Sequence, residues 1–255
     1  MMTTELLIAF LASTAGAATP LVVASMGELV TERSGVLNLG MEGMMLVGAV
    51  VGFGVTLGTG SMVLGLLAAM AAGMLMALVF GFLVLTLQTN QVATGLALTL
   101  FGIGVSAFLG RSFVGQTVER MPNLDIPLLS DLPFIGPLLF RFDAMTYASV
   151  ALVVVIGAML ARTRLGLVIR AVGESPHSAH AIGFNVIALR YGTVLFGGVT
   201  VLHFHGQGMG LAIPSEFLSM LPYVATIVVL VLICRNPQTI LLNKPMSLGQ
   251  NFKAD

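Results

Sequence analysis

The sequence has no tryptophan, a single cysteine (Cys234), only two lysines and few charges of either sign. Charged residues fill 9% of its 255 positions, whereas an ordinary soluble domain carries about 25%. A surface wetted on all sides is hard to build from so few charges, which argues against a soluble globular enzyme. Eleven basic residues balance eleven acidic ones, which argues against a nucleic-acid binder, since such proteins carry an excess of positive charge. One cysteine excludes a disulfide framework and any multi-cysteine metal site. Lys244 precedes Pro245 and Lys253 precedes Ala254, so neither lysine belongs to a Walker-type phosphate loop, which needs Ser or Thr after the Lys. No nucleophile–base pair can be assembled, no enzyme activity is expected of this chain, and no cofactor is implied.

What is present is apolar. Hydrophobic residues make up 57% of the chain and the mean hydropathy is +1.02. Stretches without charge cover 6–27, 43–110, 144–161, 191–215 and 217–234. The first holds 22 residues, about 33 Å of helix, against a hydrocarbon core of about 30 Å. The second holds 68 residues, about 100 Å of helix, and must fold back twice. Gly58-Thr59-Gly60-Ser61 and Gln88-Thr89-Asn90-Gln91 supply the turn formers and polar amides for those two breaks. The expectation is an all-α, polytopic membrane helix bundle of about seven spans, forming one transmembrane domain over 1–255. The first span is read as uncleaved, because no Lys or Arg precedes it and it exceeds the usual signal core. No lipid-anchor motif is seen.

Alternating sides places 28–42, 88–91, 162–190 and the tail from 235 together. They carry Arg33, Arg162, Arg164, Arg170, Arg190, Arg235, Lys244 and Lys253, against Arg111, Arg120 and Arg141 on the other side. Eight against three marks the first side as cytoplasmic. The loop 111–143, with Pro122, Pro127, Pro133 and Pro137, is then extracytoplasmic.

Two stretches stand out. In Glu28–Gly43, Glu28, Glu32, Arg33, Asn38 and Glu42 lie among apolar residues and glycines. A charge at the bilayer centre costs about 2.5–3.5 kcal/mol on insertion scales. Two readings stay open: an interfacial loop with Glu32 and Arg33 solvated, or a broken, re-entrant segment lining a translocation path. On the second reading Glu32, Asn38 and Glu42 border the path, and Asn38 and Glu42, four apart, share a helical face. In 162–190, Ser175 and Pro176 predict an N-cap and first helical residue, and Gly183 the left-handed stop. A helix of under two turns is unstable alone, so it must dock; a plain connecting loop is the simpler alternative.

Other signals are weaker. Gly102-Ile103-Gly104 lies in a membrane run without a strand, so its glycines are read as helix-packing sites. So are Gly48 with Gly52, Gly54 with Gly58, and Gly206 with Gly210. His177 and His180, and His203 and His205, have no acid or cysteine to complete a metal set, so no metal is expected. The sixteen methionines are read as adaptable packing.

The stretch Glu28–Ala49, with Thr31–Gly43 inside it, resembles the opening of permease subunits of nucleoside-type ABC importers, which belong with the ribose and branched-chain amino acid permeases. Arg170–Gly183 looks like that family's cytoplasmic coupling loop, and Asn243–Gly249 is similar to its tail. The resemblance implies a permease subunit moving nucleosides or a related small polar solute across the plasma membrane. Alternatives are a simple-sugar or branched-chain amino acid permease, or an ATPase-independent channel or secondary transporter. It also implies a separate cytoplasmic ATP-binding subunit, a second and different permease subunit, an extracytoplasmic solute-binding protein and contact with lipid. Arg170, Gly173, Glu174, Ser175, Pro176, Ala179 and Gly183 would form the ATPase-coupling loop. Family members carry about two further spans between the positions of Tyr191 and Gly192, so the chain looks shortened there. An ion-coupled carrier would need acids or His within its spans, and 43–110 has none. A non-transporting scaffold is the third class.

Overall fold

The computed structural model describes residues 2–118, 122–124, 136, 140–200 and 244–253. Among these there is no strand, only an isolated bridge between Asn123 and Asp143. The helices are α1 (Met2–Arg33), α2 (Met41–Thr59), α3 (Met62–Gly81), α4 (Gln91–Gly110), α5 (Ala144–Arg162), α6 (Arg164–Glu174), α7 (Pro176–Ala181) and α8 (Val186–Val199). A π-turn at Phe82–Thr86 extends α3, and a 3₁₀ turn at Arg111–Phe113 follows α4. Among the described residues, four stretches are long and apolar enough to cross a membrane: Met41–Thr59, Met62–Thr86, Gln91–Phe113 and Ala144–Arg162. The chain is a polytopic helical membrane protein, as its composition predicted.

Helix starts follow local chemistry. Side chains of Ser61, Asn90, Thr163, Ser175 and Asn185 each accept a hydrogen bond from the amide three residues on, satisfying a donor that the helix itself leaves open. Gly60, left-handed at φ 70°, ends α2. The breaks in the 68-residue run therefore fall where its turn residues predicted.

Two compact units divide the chain: 1–19, 121–147 and 205–244 form one, and 20–120, 148–204 and 245–255 the other. In the first, Asp143 Oδ1 accepts from the amide of Thr146 at 2.8 Å, starting α5. Thr19 and Thr146 share a hydroxyl–hydroxyl bond of 3.1 Å. Most of the expected loop 111–143 and the spans expected at 217–234 and beyond Thr200 lie outside the described residues, as do Gly206 and Gly210.

The second unit packs through small residues. Side chains at Gly43 or Gly102 would collide with the facing backbone of the other helix, so α2 and α4 meet almost backbone to backbone. A Cβ on Gly52 would meet Gly65 O at 3.0 Å, joining α2 to α3, and one on Gly198 would meet Ala77 Cβ at 2.5 Å, joining α8 to α3. Among the described residues, nothing lies within 4 Å of a Cβ built at Gly104 or Gly58, so the packing expected there is not seen. Val36, Met44, Ala77, Phe80, Val84 and Val194 are the most deeply buried members of the largest apolar cluster among the described residues. Leu96, Leu100, Phe101, Ile103 and Phe108 of α4 are exposed, an apolar surface suited to lipid.

Between α1 and α2, residues 34–40 are not helical. Glu28, Glu32 and Arg33 instead belong to the last turns of α1, so the segment is a helix, a break and a second helix. This corrects the shared helical face expected for Asn38 and Glu42: Asn38 sits in the break and Glu42 in the first turn of α2. The break follows from Gly35, left-handed at φ 88°, a conformation glycine adopts without cost.

A polar knot at the basic end of the helices

Within the second unit, the break 34–40, the α3–α4 turn, α6–α7 and the segment 245–253 meet at one end of the helices. They are drawn from the same segments that the basic residues placed on one side. The hub is Arg190, in the second turn of α8 and 1% exposed. Its Nε donates to Ser34 O, Nη1 to Gln250 O and Nη2 to Ser247 Oγ, each at 3.1 Å. All three partners are neutral oxygens, and the planar fork of the guanidinium suits three divergent acceptors. Burial pulls Arg190 down to about 10, leaving it charged at neutral pH.

Ser247 passes the contact on. Its hydroxyl donates to Gly173 O at 2.5 Å, and its amide donates to the same carbonyl at 3.0 Å. Gly173, near the end of α6, packs against the Arg33 carbonyl so closely that no side chain fits. Gly249 N donates to Gly35 O at 3.2 Å. Asn251 Nδ2 donates to Gln88 O at 2.6 Å and Thr89 O at 3.2 Å, and its Oδ1 accepts from Gln91 Nε2 at 3.2 Å. Gln91, buried at the start of α4, accepts from Leu37 N at 2.8 Å through Oε1. One amide thus reads both the break and the tail.

A second polar group lies beside the knot. Glu28 Oε1 accepts from Asn38 N at 3.0 Å, and Asn38 Oδ1 accepts from Gly40 N at 2.9 Å, so Asn38 shapes the approach to α2. Among the described residues Glu28 Oε2 is buried with no hydrogen-bond partner. Thr31 Oγ1 donates to Thr193 O at 3.0 Å, and Ser34 and Thr193 share a hydroxyl bond of 2.9 Å, tying α1 to α8.

The residues expected to form a coupling loop divide by exposure. Ser175 caps α7, accepting from Ser178 N at 3.3 Å; Pro176 is its first residue; Gly183 is left-handed at φ 98°. All three match the pattern read from sequence. Arg170, whose Nε donates to Gly166 O at 3.4 Å, and Glu174 are exposed. Gly173 and Ala179 are buried. Ala179 packs with Val172, Val186 and Phe252, so it anchors α7 inward, while Ile182 just after the helix is 72% exposed. Among the path candidates, Asn38 is buried, Glu32 half-buried and Glu42 exposed. Burial pushes the Glu32 carboxyl above the usual carboxylate range, opposed by Arg33. No group of three or more His, Cys, Asp or Glu that could hold a metal occurs among the described residues.

Arg190, Gln91, Ser247, Asn251 and Phe252 were not expected from sequence to belong to a site. Arg190 carried one signal: it falls on the helical register of Val186, Thr193, Val194 and Gly197, all buried.

These features define a polytopic helical membrane protein whose basic end is closed by a knot of distant segments. Residues 10–200 match the family described as the permease component of branched-chain amino acid transport systems, and the chain belongs to that family. It is 44% identical over 190 residues to a Haloferax volcanii protein provisionally named glucose ABC transporter permease protein TsgC13, covering 73% of this chain and 58% of that one. It is 34% identical over 205 residues to the guanosine ABC transporter permease protein NupQ of Bacillus subtilis, covering 76% and 63%. With the nucleoside ABC transporter permease protein NupC of Lactococcus lactis it shares 31% over 212 residues, covering 79% and 65%. The chain spans about three-fifths of the length of these curated relatives. No solved structure matches it.

Proposed function

We propose that the chain is a membrane-spanning permease subunit of an ATP-driven importer, moving nucleosides or a related small polar solute across the plasma membrane. The observation that carries this reading is the state of α7. A six-residue helix cannot stand alone; here it is held inward by Ala179 and leaves Ile182 exposed at the basic end. That is the arrangement a docking contact for a cytoplasmic ATP-binding subunit requires. Two relatives named for guanosine and nucleosides support the solute class. ATP hydrolysis falls to the separate subunit, a second and different permease subunit completes the pathway, and an extracytoplasmic binding protein delivers the solute. Glu32, Asn38 and Glu42 are proposed to border the path, with Asn38 acting through the shape of the 34–40 break.

A sugar is the second reading, favoured by the 44% identity to the protein provisionally named for glucose. The direct run of α8 through Tyr191 and Gly192 supports the reading that about two family spans are missing at that junction.

The test is uptake into proteoliposomes holding this chain with its ATP-binding, second permease and binding-protein subunits, supplied with labelled guanosine, glucose, ribose or leucine. ATP-dependent guanosine uptake is expected. Preference for glucose selects the sugar reading, and uptake indifferent to ATP overturns the importer.

A further inference from the structure

Segment 245–253 touches every other part of the knot. Turned by Leu248 N to Pro245 O (3.2 Å) and Gln250 N to Ser247 O (3.0 Å), it bonds α6 at Gly173, the break at Gly35 and the α3–α4 turn at Gln88 and Thr89. Gln88 answers by donating from Nε2 to Phe252 O at 3.1 Å. The Phe252 ring then fills the inward side of α7. It lies with its centroid 5.1 Å from that of His177 and 5.7 Å from that of His180, both edge-on, over Ala179, Val172 and Val186. Edge-to-face ring contacts of this kind add to the apolar burial beneath them. Asn251 and Phe252 are adjacent, so the grip on the α3–α4 turn and the grip on α7 are one covalent step apart.

We propose that Ser247, Asn251 and Phe252 are positioning residues for α7, binding it and the 34–40 break into one body so that a displacement of α7 carries the break with it. Through Gln91, which bonds both Asn251 and Leu37, the same body includes the start of α4. The proposal rests on the reading of α7 as the ATPase contact. It assigns to a short irregular segment the transmission of that contact to the membrane helices.

The experiment uses the full chain assembled with the ATP-binding, second permease and binding-protein subunits of its own transporter. Spin labels are placed by Leu39→Cys and Ile182→Cys, both exposed, after Cys234→Ala. The distance between them is measured with and without ATP. The expected result is one unchanged distance in the parent. In Asn251→Ala and in Phe252→Ala, ATP should shift or broaden the distribution, with loss of solute-stimulated ATP hydrolysis, and Phe252→Leu should restore both. Asn251 is exposed, so its variant keeps the core intact if Phe252→Ala fails to fold. A parent distance that changes with ATP, or variants that respond as the parent does, would overturn the positioning role alone. Failure of the parent to co-purify with the ATP-binding subunit would overturn the coupling reading and this role together.

Discussion

Ser247 and Gly173, 74 residues apart, are joined twice, because one carbonyl accepts both the amide and the hydroxyl of the serine. The hydroxyl also receives Arg190 Nη2, so it is donor and acceptor at once. Ser247→Ala should therefore leave a buried guanidinium proton without its partner. A loss of about 1–3 kcal/mol is expected for such a group, read as a lower melting temperature of the detergent-solubilised chain. Ser247→Thr, which keeps the hydroxyl, should lose less of the polar contact, its extra methyl being the residual cost.

Arg190→Lys tests the fork rather than the charge. An ammonium cannot reach three acceptors that diverge as Ser34 O, Gln250 O and Ser247 Oγ do. The expected loss is on the order of 3 kcal/mol, about one or two charge-assisted hydrogen bonds. It would show as reduced melting temperature and faster proteolysis near 34–40. Equal stability of the lysine variant would mean that the fork is not what holds the knot.

Gly102 and Gly104 provide a matched pair in one helix. A methyl at Gly102 would strike the Gly43 backbone, whereas one at Gly104 meets nothing within 4 Å. Gly102→Ala should destabilise by about 1–3 kcal/mol, as overpacking does, and Gly104→Ala should be neutral or slightly stabilising through helix propensity. Thermal unfolding of the two variants side by side decides it.

Sidedness and exposure can be read together by thiol labelling after Cys234→Ala. With a membrane-impermeant reagent, Ile182→Cys should label in inside-out vesicles and stay silent in right-side-out ones. Ala179→Cys should stay silent in both, because it is buried under Phe252. Labelling of position 182 from the outside would reverse the orientation assigned by the basic residues.

The membrane helices and their breaks were legible because uncharged runs, turn residues and caps are local signals. The α7 frame of Ser175, Pro176 and Gly183 was legible for the same reason. Its facing was not: Ala179 was grouped with the exposed Arg170 and Glu174, and only the Phe252 contact shows that it points inward. Asn38 and Glu42 were set on one helix because spacing alone cannot reveal that left-handed Gly35 opens a break that holds Asn38 and ends only at Met41, just before Glu42. The knot itself was illegible for a different reason. Residues 245–253 are irregular, so they have no period to read, and their partners lie far away in the chain.

Arg190 reaches Ser34 across 156 positions and Ser247 across another 57. A ribosome delivers those three residues in order, so the guanidinium is made long before the serine that completes its coordination. Until then α1 through α8 carry a charge near the membrane surface that water must serve, and the basic end stays open. Closure of the basic end then waits for 245–253 and becomes a checkpoint on whether the helices made before it have found their places. Chains stalled before 245 should insert yet remain open to protease at 34–40 and 186–190, and protection should arrive abruptly once 253 has emerged. Protection already present in the stalled chains would show that the basic end closes without residues 245–253.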